Sequence, residues 1–74
     1  SLIKNGNIYK SKGIVTDVLP GNKYRVLLEN EHTVLAYLGG KMKQFRIFVI
    51  EGDSVDVEVS IYDTTQGRIS YRHK

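Results

Sequence analysis

Seventy-four residues amount to one domain at most. With no Cys, the chain has no disulfide, no thiolate metal site and no Cys nucleophile, and a reducing compartment suits it. Eleven Lys and Arg against eight Asp and Glu give a net charge of +3, and a small basic domain points to a polyanionic partner, nucleic acid before membrane.

Hydrophobic residues are 41% of the chain and charged residues 26%, a globular mix that excludes intrinsic disorder. No apolar stretch approaches the roughly 18 residues of a membrane span. SLIKNGNIYK lacks a signal-peptide h-region. No membrane partner is therefore expected. The charge is uneven: Lys41, Lys43 and Arg46 make residues 41–46 net +3, while residues 47–63 are net −5.

Taken in chain order, residues 1–6 are expected to be a flexible arm and residues 7–74 a single domain. IYKSKGIVTDVL (8–19) predicts a long first strand, in which Gly13 suggests a bulge and a bend. Pro20-Gly21-Asn22 predicts a turn. YRVLLE (24–29) alternates, with Tyr24, Val26 and Leu28 inside and Arg25 and Leu27 outside. After a turn at Asn30-Glu31, TVLAYL (33–38) puts Val34, Ala36 and Leu38 inside and Leu35 and Tyr37 outside. Gly39 to Ile50 lacks clean alternation. It predicts a short helical turn at 40–45, then a lead-in over Arg46–Ile50.

SVDVEVSI (54–61) puts Val55, Val57, Val59 and Ile61 on one face, with Asp56 and Glu58 on a solvated one. Asp63 to Gly67 reads as a loop. RISYR (68–72) comes next as the last strand, with Ile69 and Tyr71 inside. The layout is all-β: a five-stranded closed Greek-key barrel, the OB-fold, with a short helical turn between strands 3 and 4. An SH3-like barrel is the alternative, differing mainly in where the helical turn sits.

Catalytic chemistry finds no support. His32 and His73 are isolated and read as surface residues, whereas a structural zinc site needs four close ligands. Asp56 and Glu58 share a strand face rather than a cleft, where carboxylate pKa values would shift. Gly39-Gly40-Lys41 lacks the spacing of a phosphate loop. No enzyme, metal or cofactor is predicted. Basic and aromatic residues do interleave on the exposed wall: Arg25, Tyr37, Lys41, Lys43, Phe45, Arg46, Arg68 and Arg72. Cationic groups neutralise phosphates, and aromatic faces stack on splayed bases. Phe45 and Phe48 have a competing assignment as core filling beneath the linker.

GIVTDVLPGNKYRVLLENEHTVLAYLGGKMK, with IEGDSVDVEVSIYDTTQGRISYR after it, resembles bacterial-type translation initiation factor 1. The resemblance rests on Gly13, Leu19-Pro20, Tyr24, Val26, Leu28 and Asn30, then on Gly40-Lys41-Met42-Lys43. Gly52-Asp53, Val57-Glu58, Tyr62-Asp63, Gly67-Arg68-Ile69 and Tyr71-Arg72 complete it, so that it covers about residues 7–73.

This resemblance implies an OB-fold that binds the small ribosomal subunit at the aminoacyl-tRNA site and occludes it. The implied partners are ribosomal RNA, a neighbouring ribosomal protein and initiation factors 2 and 3, with the free chain a monomer. It implies RNA contacts from Gly40, Lys41, Met42, Lys43, Arg46, Arg68 and Arg72, with Arg25 weaker; Tyr37 joins them as a stacking surface. Met42 is expected either to project against sugars and base edges or to plug the barrel end. Phe48 stands where the family pattern has a basic residue, and Thr64-Thr65-Gln66 replaces a more basic stretch. The resemblance implies the cytoplasm, or a plastid or other organelle matrix after loss of a transit peptide. The alternative is an OB-fold protein-interaction module with weakened RNA binding, presenting Leu27, Leu35 and Phe48. A generic single-strand binder ranks third.

Overall fold

The computed structural model describes residues 8–73. The arm expected for residues 1–6 lies outside them. The elements are β1 (Ile8–Leu19), β2 (Lys23–Leu28), β3 (Thr33–Leu38), α1 (Gly40–Gln44), β4 (Ser54–Ser60) and β5 (Asp63–Arg72). The strands close into a barrel in the order β1-β2-β3-β5-β4, with β4 returning to β1. Every pairing is antiparallel except β3 with β5. This is the predicted OB-fold, and α1 between β3 and β4 sets aside the SH3-like alternative.

Alternation with period 2 explains the core. Val26 and Leu28 of β2, Val34 and Ala36 of β3, Val55, Val57 and Val59 of β4, and Ile69 of β5 all point inward and are buried. Branched side chains suit a pleated wall, and each such burial contributes about 1.5–3 kcal/mol. Val15, Tyr24, Met42 and Val49 complete the filling. The β1–β2 turn places Gly21 at φ 80° and Asn22 at φ 59°, the left-handed conformation these two residues tolerate best. At the β2–β3 turn, Asn30 Oδ1 accepts a hydrogen bond from the His32 backbone N–H at 2.9 Å.

Several details differ from the sequence expectation. The irregularity in β1 lies at Thr16, where the pairing steps from Val15↔Val26 to Asp17↔Arg25. Gly13 instead marks a close approach: a Cβ there would sit 2.7 Å from Val26 Cγ1 and 2.8 Å from the Leu27 carbonyl oxygen. β5 begins at Asp63 rather than Arg68, so the 63–67 stretch is strand; Leu35, Ala36 and Tyr37 pair with Gln66, Gly67 and Arg68.

Tyr71 is exposed, not inside. Between Val57↔Ile69 and Asp56↔Tyr71 the strand carries one extra residue, Ser70, and a one-residue slip reverses the face of every residue beyond it. Ile61 lies past the end of β4 and is exposed as well. The core assignment also fails for Phe45 and Phe48, which are 68% and 83% exposed, because Ile47 and Val49 take the inward positions of the linker.

Candidate nucleic-acid interface

The cross-strand register builds a row of outward side chains around the barrel. Lys23 of β2 pairs with Tyr37 of β3, Tyr37 with Arg68 of β5, Arg68 with Glu58 of β4, and Glu58 with Lys10 of β1. Tyr37, 52% exposed, thus lies between two cationic residues. The parallel β3–β5 pairing alone brings Tyr37 beside Arg68, which is 31 residues further along the chain.

Arg68 is held by Glu58: its Nε donates to Glu58 Oε1 at 3.1 Å, and its Nη2 makes a second, shorter contact with the same oxygen. These hydrogen bonds, then the carboxylate charge, push the guanidinium pKa above its ordinary value. Two shallow grooves meet at this pair. One, of about 280 Å³, is lined by Tyr37, Ser60, Asp63 and Gln66 along with Glu58 and Arg68. The other, of about 250 Å³, adds Gly39, Gly40, Lys41, Met42 and Ser70.

At the end of β3 the Gly39 N–H donates to the Ile69 carbonyl at 2.8 Å and ties the entry of α1 to β5. α1 has no acidic residue in its first turn and carries Lys41 and Lys43 at its C-terminal end, where cations complement the carbonyl dipoles. Its exit is tight: Arg46 adopts φ 54°, and the Ile47 N–H returns to the Met42 carbonyl at 3.0 Å. Met42 points inward and is 2% exposed. Met42 therefore plugs the barrel end, and the expectation that it projects toward a partner is corrected. On a one-turn helix capping a barrel, one apolar side chain must seal the end.

The arginines of β2 and β5 and the cations of the α1 segment differ in one respect. Arg25 pairs with Asp17 at 3.0 Å, Arg68 with Glu58, and Arg72 with Asp53 at 3.7 Å. Among the described residues, no carboxylate lies within ion-pairing distance of Lys41, Lys43 or Arg46. The lobe from Gly40 to Arg46 thus carries three cations with no carboxylate partner among the described residues.

Of the nine residues singled out in the sequence, the two adjoining grooves gather Tyr37, Gly40, Lys41, Met42 and Arg68, Met42 from its buried side. Lys43 and Arg46 come next, on α1 and its exit. Arg25 stands one row along, opposite Leu35, and Arg72 lies apart beside Asp53. Lys23 and Lys10 are additions to that set. The alternation that turns Arg25 outward also turns Lys23 outward, so Lys23 was within reach of sequence reasoning. Glu58 as the partner of Arg68 was not, because β5 is irregular against β4 at two places. His73 is more than a surface residue: its Nε2 lies 2.8 Å from Asp56 Oδ1, and its ring meets Tyr71 edge-on at 4.9 Å. No group of three or more His, Cys, Asp or Glu able to hold a metal ion occurs among the described residues.

Known proteins resemble this chain over most of its length. The family described as Translation initiation factor 1A / IF-1 matches residues 3–74. A translation initiation factor IF-1 of Rhodospirillum rubrum is 55% identical over 62 residues, covering 84% of this chain and 65% of that relative. Another, from Azorhizobium caulinodans, is 57% identical over 63 residues, covering 85% and 69%. The chain thus spans about two thirds of the length of these curated relatives. The solution structure of translation initiation factor 1 from the Wolbachia endosymbiont of Brugia malayi superposes with a TM-score of 0.76 at 41% identity, covering 96% of this chain and 84% of that one.

Proposed function

The chain belongs to the translation initiation factor 1A / IF-1 family, and from that premise we propose that it acts in translation initiation by binding the small ribosomal subunit. The family is one of non-enzymatic factors, so function lies in binding. In this proposal the chain contacts ribosomal RNA at the aminoacyl-tRNA site, together with a neighbouring ribosomal protein. It thereby blocks that site and supports initiation factors 2 and 3, and it does so in the cytoplasm.

The observation that carries the proposal is the uncompensated Lys41, Lys43 and Arg46 beside the grooves at Tyr37 and Arg68. Unpaired cations release counterions on meeting phosphate without first breaking a bond inside the protein. Arg25, Arg68 and Arg72, already paired, give less. Titration of purified small subunits over a range of salt tests this. With three contacts, from Lys41, Lys43 and Arg46, log K falls with log salt at a slope of roughly −2, at about −0.7 per single-strand contact. Transfer RNA at the aminoacyl site should compete with the chain. A flat salt response, or simultaneous binding of both, rejects the proposal and favours the protein-interaction module.

A further inference from the structure

We propose that Phe48, with Phe45 beside it, is a stacking platform for an unpaired nucleobase, so that the basic lobe grips single-stranded RNA by base faces as well as by phosphates. This rests on the RNA-binding reading above and adds a contact that charge does not supply.

The observation is an aromatic excess that folding does not use. Along the linker after α1, Ile47 and Val49 turn inward, so Phe48 and Ile50 turn outward, as alternation in extended backbone requires. Phe48 is 83% exposed and Phe45 68%, so neither ring fills the core. Among the described residues the one ring–ring contact is between Tyr71 and His73, so neither phenylalanine stacks internally. Three residues apart, their Cα atoms are within about 11 Å of each other. Arg46, in its left-handed turn, lies between them.

Charge identifies the occupant. Residues 40–50 contain two Lys, one Arg and no Asp or Glu, and the three cations have no carboxylate partner among the described residues. Flat, exposed rings among cations without carboxylate partners match a strand that alternates anionic phosphates with stackable bases; each base stacked on an aromatic ring typically changes affinity about 5–150-fold. The same lobe adjoins the groove in which Tyr37 stands between Lys23 and Arg68. Tyr37 thus stands between two cations, and Phe45 directly precedes Arg46 in the chain.

The test uses the whole chain and two fluorescent probes: a ten-nucleotide single-stranded oligoadenylate RNA and an abasic strand with the same phosphates. Phe48→Ala should bind the oligoadenylate about 5–150-fold more weakly. Its salt slope should stay as in the parent chain, since no charge is lost, and its affinity for the abasic strand should not change. Phe48→Leu should behave like Phe48→Ala. Lys43→Ala should differ, lowering the slope by about 0.7 on both strands. Thermal melts of each variant confirm folding.

Absence of oligoadenylate binding by the parent chain overturns the proposal. So does parental affinity in Phe48→Ala, an equal loss on the abasic strand, or full rescue by Leu. Retained oligoadenylate binding with lost binding to the small subunit assigns Phe48 to a protein partner and also overturns it. Failure of the proposed function reads differently: the parent chain then does not bind small subunits at all, whatever the oligonucleotides show.

Discussion

Arg68 and Glu58 form an ion pair across β4 and β5, with Arg68 Nε 3.1 Å from Glu58 Oε1. The pair stands where the two surface grooves meet, so Glu58 sets how much of the Arg68 charge a polyanion can use. The more exposed partner is the arginine, at 47% against 20% for the glutamate side chain.

Replacing Glu58 by Gln keeps the shape and removes the charge. The Glu58→Gln variant should bind small subunits more tightly, and its salt slope should steepen by up to about 0.7, one further single-strand contact. Exposed ion pairs typically contribute about 0–1 kcal/mol, so the melting curve should move little. Unchanged affinity and slope would show that Arg68 does not meet phosphate.

The adjacent glycines at the end of β3 should respond in opposite ways to Ala. At Gly39 a Cβ would lie 2.9 Å from the Ile69 carbonyl oxygen, a backbone atom that cannot swing aside. The same residue donates to that oxygen, so the clash pulls at the tie holding α1 to β5. Gly39→Ala should cost about 1–3 kcal/mol, as overpacking does. Gly40 has open space around it and sits in α1 at an ordinary φ. Gly40→Ala should leave stability unchanged or raise it by about 0.4–1 kcal/mol through the unfolded state. Urea denaturation of both variants checks the contrast; equal effects would reject it.

Period 2 encodes a face only where nothing interrupts it. Val55, Val57 and Val59 announce their face because their alternation is unbroken. Tyr71 escapes the rule because Ser70 is an extra residue in β5, and nothing local distinguishes it from a regular strand residue. Thr64-Thr65-Gln66 reads as loop because it is polar; its strand character comes from pairing between Gln66 and Leu35, far apart in sequence. The basic lobe is legible as composition. Its isolation from carboxylates is not, since that depends on which acids the barrel brings near Arg25, Arg68 and Arg72.

Asp63 at the start of β5 accepts hydrogen bonds from the Thr65 hydroxyl at 2.6 Å and the Thr65 backbone N–H at 3.1 Å. The hydroxyl bond, then the backbone bond, holds its carboxyl pKa below the ordinary 3.8. Both favour the charged form, so their stabilisation is present above the ordinary value and is lost as pH falls through the lowered one. Thr65→Val removes the hydroxyl, and the Asp63 carboxyl should then titrate nearer 3.8. Carbon-13 NMR titration of the carboxyl group reads this directly; identical titrations in parent and variant would show that the hydroxyl bond does not form in solution.

Lys41 and Met42, neighbours on α1, should separate binding from folding. Met42 is buried at the barrel end, whereas Lys41 is exposed beside the groove and has no carboxylate partner among the described residues. Truncating a buried Met to Ala removes apolar contacts and leaves a cavity, at about 2–5 kcal/mol. In a domain of this size each kcal/mol lowers Tm by about 4–8 °C, so Met42→Ala should lose roughly 8 °C or more. Lys41→Ala should shift stability by no more than about 0.5 kcal/mol, as at other exposed sites, while its salt slope for subunit binding becomes shallower by about 0.7. At a temperature where Met42→Ala is still folded, it should bind with parental affinity, since its side chain faces the core. Parental melting with weakened subunit binding in Met42→Ala would put the methionine at the interface and reject its place as the plug of the barrel.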